Sequence, residues 1–162
     1  MTVDSRAKGK RAEYDVRDLL REKTGLGWER VPGSGGFGAQ HGLKGDIYLP
    51  ISTNKRSLYC IEVKHYKDDT ITSNLTNATV STLEKWWDQT VREAGEMNSK
   101  SMLVFKKDRG EWLMALWEDD ENAAYLMDNA YLTFRSSRMT TGIIIGKFKP
   151  WLAEANLEDL VI

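Results

Sequence analysis

Read in order, the chain offers helix, strand, loop, strand, strand, helix, strand and strand, which predicts an α/β domain with a central mixed β-sheet flanked by helices. Three observations carry that prediction. Apolar residues recur at helical spacing around residues 12–20 and 83–94, short apolar runs of strand length stand at 59–63, 102–105 and 112–117, and turn-forming clusters separate them. At 162 residues the chain is long enough for one well-buried domain and short for two, so residues 1–162 are expected to form a single domain.

Asp4 or Ser5 can cap a first helix that runs to about Lys23, with Gly25 and Gly27 ending it. Ala12, Val16, Leu19 and Leu20 form its buried stripe, and Glu13 lies on or beside that stripe. A boundary glutamate whose stem packs while its head reaches water would explain Glu13 equally well. A short strand is expected at 28–31, followed by Pro32-Gly33-Ser34-Gly35-Gly36-Phe37-Gly38, too rich in glycine for regular structure. Backbone N–H groups in such a loop can approach a phosphate closely, with Arg30, Ser34 and His41 as side-chain donors. It lacks the Gly-Lys-Ser/Thr ending of a nucleotide-binding P-loop.

Strands at about 45–51 and 57–65 flank the turn-rich Ser52-Thr53-Asn54-Lys55-Arg56. In an antiparallel hairpin centred on Asn54, residues whose numbers sum to 108 face each other, and Asp46 and Glu62 satisfy this. Their Cβ atoms would then lie about 5 Å apart, where like charges repel unless a cation sits between them. A bulge or slip would undo that pairing. Along the second strand Tyr59, Ile61 and Val63 point to one side, while Glu62 and Lys64 share the other with Cys60. A carboxylate and an ammonium on one edge, met by a second carboxylate, is an arrangement suited to metal-assisted phosphodiester hydrolysis.

After the polar segment 66–79, a helix over 80–97 carries Leu83, Trp86, Trp87, Val91 and Ala94. Gln89 on this helix can approach the Glu62 edge, although a surface or packing role suits it better. Trp86 and Trp87 fit a core or dimer contact better than base stacking. Strands follow at 102–106 and 112–117 about a turn at Asp108-Arg109-Gly110. Helix at 122–127, strands at 131–134 and 142–148, and a last helix beginning at Pro150 complete the expectation.

Composition removes several functional classes. One cysteine, Cys60, excludes an intramolecular disulfide, and with only His41 and His65 beside it there is no zinc set. Any metal must be held by oxygen. There is no apolar run of membrane-spanning length and no secretory core, which leads us to expect a cytoplasmic protein without membrane contact. Net charge is −1, but residues 1–67 hold 13 Lys/Arg against 8 Asp/Glu, and residues 68–162 hold 10 against 16. The balances of +5 and −6 put the Glu62-x-Lys64 strand in the half that attracts a phosphate backbone.

Glu13, Arg30 with the Ser/Gly-rich loop, Gly45-Asp46 and Ile61-Glu62-Val63-Lys64 together resemble the PD-(D/E)xK nuclease superfamily, and within it the archaeal-type Holliday-junction resolvases that some bacteriophages also encode. The resemblance covers about residues 6–117, the core, and leaves 118–162 as an extension packed on it. Gly45 departs from the pattern by standing where the superfamily name has proline. The resemblance implies a restriction-endonuclease-like fold and a Mg²⁺-dependent endodeoxyribonuclease, with Mn²⁺ able to substitute. Asp46, Glu62 and the backbone carbonyl of Val63 would bind the metal, and Glu13 would complete the site through water or a second ion. Lys64 would orient or help deprotonate the attacking water. Arg30, Ser34, Lys8, Lys10 and Arg11 would contact DNA, and a homodimer would suit a two-fold-symmetric four-way junction. Competing readings are another PD-(D/E)xK nuclease acting on duplex, flap or single-stranded DNA, and a catalytically silent DNA-binding module.

Overall fold

A computed structural model describes residues 5–32 and 42–162. Helix α1 (Ser5–Thr24) buries Ala12, Val16 and Leu20 and ends at Gly25, whose φ of 70° is a left-handed conformation favoured by glycine. The cap expected at Asp4 or the Ser5 side chain lies outside the described groups. Strands β1 (Glu29–Arg30), β2 (Ile47–Tyr48) and β3 (Tyr59–Tyr66) follow. β2 is shorter than predicted, because the chain turns through a 3₁₀ segment at Ile51–Thr53 before reaching β3. Asn54 closes that turn with φ 56°, at the centre the hairpin symmetry requires.

A 3₁₀ turn at Ser73–Thr76 leads to helix α2 (Thr82–Glu96), whose N-cap Ser81 accepts a hydrogen bond from the Glu84 N–H. α2 carries the chain back to β4 (Lys100–Lys107), which pairs parallel with β3 throughout, Glu62 beside Leu103 and Lys64 beside Phe105. Every other pairing is antiparallel. β5 (Leu113–Trp117), β6 (Leu132–Phe134) and β7 (Ile143–Lys147) complete a seven-stranded mixed sheet ordered β1-β2-β3-β4-β5-β7-β6.

Helices cover both faces of this sheet. On one side Tyr59, Ile61, Val63, Met102 and Val104 join α1 and α4 (Phe148–Glu154), with Phe148 and Trp151 fully buried. On the other side Leu103, Phe105, Ile143 and Ile145 meet Leu83 and Trp87 of α2. Trp87 is a core residue, its ring 4.9 Å from that of Trp117, as its spacing predicted. The short helices α3 (Ala124–Met127) and α5 (Leu157–Leu160) lie in the C-terminal part.

Residues 118–162 do more than cover a finished core. Two of their strands extend the sheet itself, and their Trp151 indole donates to the Asn122 carbonyl at 2.9 Å within the first core. The last long helix begins at Phe148, two residues before Pro150, which occupies the first turn where its missing N–H is harmless. The sequence carries no periodic signal for α5, since four residues are too few to show one; a capping box between Asn156 and Asp159 holds them.

Candidate active site

The hairpin register is the predicted one, but the ladder stops one pair short of the carboxylates. Ile47 pairs with Ile61, while the Asp46 N–H also reaches the Ile61 carbonyl, at 2.7 Å. Two residues thus oppose one, a local bulge, and Asp46 is not the direct ladder partner of Glu62. Gly45 causes the turn: its φ is 76°, and a Cβ there would lie 2.9 Å from the Ile61 oxygen. Proline, held near φ −65°, cannot adopt that conformation. The bulge redirects the Asp46 carboxylate so that its Oδ2 accepts from the Val63 N–H at 2.7 Å, where it remains within reach of Glu62 and Glu13.

Glu62 does not project from an open edge. It is 2% exposed, roofed by α2. From that helix Gln89 supplies two contacts, accepting from Lys64 Nζ at 3.0 Å and donating to Glu62 Oε2 at 3.5 Å. Lys64 Nζ lies 3.9 Å from the same Glu62 oxygen. Glu13, projecting from α1, is ion-paired with Arg30 of β1. The structure therefore brings Glu13, Asp46, Glu62 and Lys64 together from a helix, a bulge and one strand.

The charges in this group are unbalanced. Burial, then the neighbouring Asp46 charge, lifts the Glu13 carboxyl from its usual range to about 7, against the opposing pull of Arg30. Burial also raises Asp46, although the Val63 N–H opposes it. Glu62 is raised by burial first and then by Glu93, a hydrogen-bonding neighbour on α2, and by Asp46. Among the described residues, one Glu93 carboxylate oxygen is buried without a partner. Crowded, desolvated carboxylates hold protons because no sufficient cation faces them.

Such a donor set fits a hard divalent cation, which takes oxygen ligands and needs deprotonated carboxylates. Among the described residues no three acidic, histidine or cysteine side chains close into a ready-made cage. Cys60 lies buried beside this cluster, and burial followed by the Glu62 charge pushes its thiol up, away from nucleophilic reactivity.

The other residues singled out in the sequence divide. Arg30 is committed to Glu13, and Lys8 to Asp108 of the β4–β5 turn. Lys10 and Arg11 are exposed on α1. Ser34, His41 and the glycine-rich loop lie outside the described residues. Gln89, for which the sequence favours a surface or packing role over an approach to the site, touches two site residues. Glu93, one helical turn further, was not singled out. Their separation of four puts both on one helix face, but only the packing of α2 on β3 shows that this face covers Glu62.

A helix glutamate, a bulged aspartate and a strand Glu-x-Lys on a mixed sheet define a metal-dependent nuclease class, and the matching family agrees. Residues 4–161 match the family described as "Phage putative PDDEXK endonuclease", and the chain belongs to it. Protein D14 of Escherichia phage T5 is 59% identical over 161 residues, covering 99% of both chains. Among solved structures, Hjc, a Holliday junction resolvase from Archaeoglobus fulgidus, matches with a TM-score of 0.44 and 17% identity over 94% of this chain and 93% of that one. Family membership makes this a nuclease-type protein with DNA as substrate, and nucleases of this kind generally use divalent metals. No helix among the described residues is long and apolar enough to cross a membrane.

Proposed function

We propose that the chain is a Mg²⁺-dependent, structure-selective DNA endonuclease that resolves four-way junctions by phosphodiester hydrolysis, acting as a homodimer in the host cytoplasm. The observation that carries the hydrolytic reading is Glu62: a 2% exposed carboxylate gathered with Asp46 beside Lys64 and left without a full countercharge. A divalent cation held by Asp46, Glu62 and the Val63 carbonyl would polarise the scissile phosphate and favour deprotonation of water.

The remaining work falls to the chain's own side chains. Asp46 is pre-oriented by the Val63 N–H, so little ordering is needed when it takes up a ligand. Lys64 orients the attacking water and offsets negative charge on the pentacovalent phosphate. Gln89, through its 3.0 Å contact, holds the lysine in that position. Glu13 completes the acidic wall, kept in place by Arg30. Exposed Lys10 and Arg11 would bind flanking phosphates, and Ser34 the phosphate near the cut.

Support for the junction comes from the order and spacing of Glu13, the glycine-rich segment, Asp46 and Glu62-x-Lys64, which resemble the archaeal-type resolvases. Incubation with a four-way junction, linear duplex, a flap and single-stranded DNA, with Mg²⁺ or chelator, separates the alternatives. Paired symmetric nicks in the junction are expected. Equal cutting of linear duplex would replace this reading with that of a less selective nuclease, and binding without turnover under any divalent metal would replace it with a binding module.

A further inference from the structure

The turn joining β2 to β3 displays Ile51 at 97% exposure, more than any other large apolar side chain among the described residues. Single exposed apolar residues are ordinary, but this one is presented on a braced support. The Ile51 carbonyl accepts from Asn54 N–H at 2.9 Å, and the Pro50 carbonyl accepts from both Thr53 N–H at 3.0 Å and Thr53 Oγ1 at 2.7 Å. Below the turn, Arg56 and Ile162 exchange backbone hydrogen bonds of 3.0 and 2.9 Å, Ser57 bridges Val161, and Leu58 N–H donates to Leu160. The C-terminal segment thus forms a buttress, anchored by Leu160 and Val161 at 1% and 5% exposure.

Charge identifies what such a projection meets. Lys55 and Arg56 are exposed on the same turn and make no ion pair among the described residues, and residues 50–58 contain no acid. Of the two carboxylates in the buttressing helix, Asp159 is occupied by Tyr125 and the Asn156 N–H. An apolar tip flanked by free cations suits nucleic acid, in which phosphates bind the cations and a branched aliphatic side chain wedges between bases. The reach is also right. Ile51 is five residues from Asp46, so their Cα atoms lie within about 17 Å of each other, roughly five base-pair steps of 3.4 Å.

We propose that Ile51 is a DNA wedge: it unstacks a base step within about five base pairs of the cut phosphate, while Lys55 and Arg56 clamp the phosphates beside it. This rests on the nuclease reading and adds how the enzyme selects DNA that opens easily. Unstacking is least costly at a branch point or another interrupted stack, so the wedge favours such sites over continuous duplex.

The test uses a four-way junction and a linear duplex carrying 2-aminopurine at successive positions up to six from the cut phosphate, with wild type, Ile51→Ser and Lys55→Ala/Arg56→Ala in Ca²⁺ and in Mg²⁺. Wild type should raise the fluorescence at one position of the junction. Ile51→Ser should lose that rise and bind the junction about tenfold more weakly, with an unchanged thermal midpoint because the side chain is solvent-exposed. The double variant should lower the slope of log affinity against log salt by about 2. Unchanged fluorescence and junction affinity in Ile51→Ser, alongside normal wild-type cleavage, would overturn the wedge and leave the nuclease reading intact. A lower solution mass for Ile51→Ser would also overturn it, marking the tip as a contact between copies. Failure of wild type to bind or cut any DNA would sink the nuclease reading itself.

Discussion

Glu62 and Glu84 are buried to the same degree, 2% exposed each, and both contact or belong to α2, yet they are opposites electrostatically. Glu84 is gripped by the Arg138 guanidinium through two hydrogen bonds of 2.8 and 2.9 Å, and this holds its carboxyl below the usual range. Glu62 has a lysine at 3.9 Å, a long contact from Gln89 and two carboxylates for company, and its carboxyl is pushed up. Burial alone does not set the state of a carboxyl. Complete pairing keeps Glu84 ionised inside the protein; incomplete pairing leaves Glu62 short of countercharge and raises its carboxyl.

The largest expected effect tests the unpaired side. Asp46→Asn or Glu62→Gln should lower the cleavage rate by roughly 10³-fold or more, since each removes charge needed to hold the cation, while junction binding measured in Ca²⁺ stays within a few-fold. Glu62→Gln should also leave metal-free stability unchanged or raised, because a neutral amide replaces a desolvated carboxyl that the metal-free fold keeps only by holding its proton. Normal cleavage in Asp46→Asn would mean that the site lies elsewhere.

Next comes the paired side. Arg138→Met should lower the thermal midpoint by several degrees, because Glu84 is left buried without its partner, with Mg²⁺ affinity unaltered. If this variant melts like wild type, the contrast between the two glutamates fails at its structural end.

The two sites should also respond to pH in opposite directions. Glu13, raised to about 7, and Asp46 and Glu62, also raised, hold protons more tightly in the folded metal-free protein than in the unfolded chain. Their contribution is fully present below the ordinary carboxylate range and is lost as pH rises through the raised values. The depressed Glu84 contributes above the ordinary range and loses its effect as pH falls through its lowered value. Melting curves should therefore show a larger Mg²⁺-induced stabilisation at about pH 8 than at about pH 5. Equal stabilisation at both would argue against carboxylate ligation.

The smallest effect concerns position. Gln89→Ala should lower kcat about tenfold with KM little changed, as expected for loss of a group that orients Lys64, and Gln89→Glu should restore part of the rate by accepting from the same ammonium. A change confined to KM would place Gln89 in substrate binding.

Much of the candidate site's geometry was legible because it rests on short-range periodicity. Alternation along β3 puts Glu62 and Lys64 on one face whatever surrounds them, and Asn54 at the hairpin centre aligns Ile47 with Ile61 by count alone. Helical spacing likewise brought Glu13 beside the stripe that faces the sheet. The bulge at Asp46 was not legible, since Gly45 permits many conformations and its positive φ is selected by contact with β3.

By itself, then, the sequence determined most of the longer elements, the register of the hairpin and the chemical types gathered near it, all consequences of backbone geometry over a few residues. Tertiary structure alone decided that α2 closes over Glu62, that Gln89 and Glu93 face it, and that residues 132–134 and 143–147 extend the same sheet. It also decided which buried glutamate receives an arginine, because Glu84 and Arg138 are 54 residues apart. Such pairings depend on where distant segments meet, and local periodicity carries no record of that.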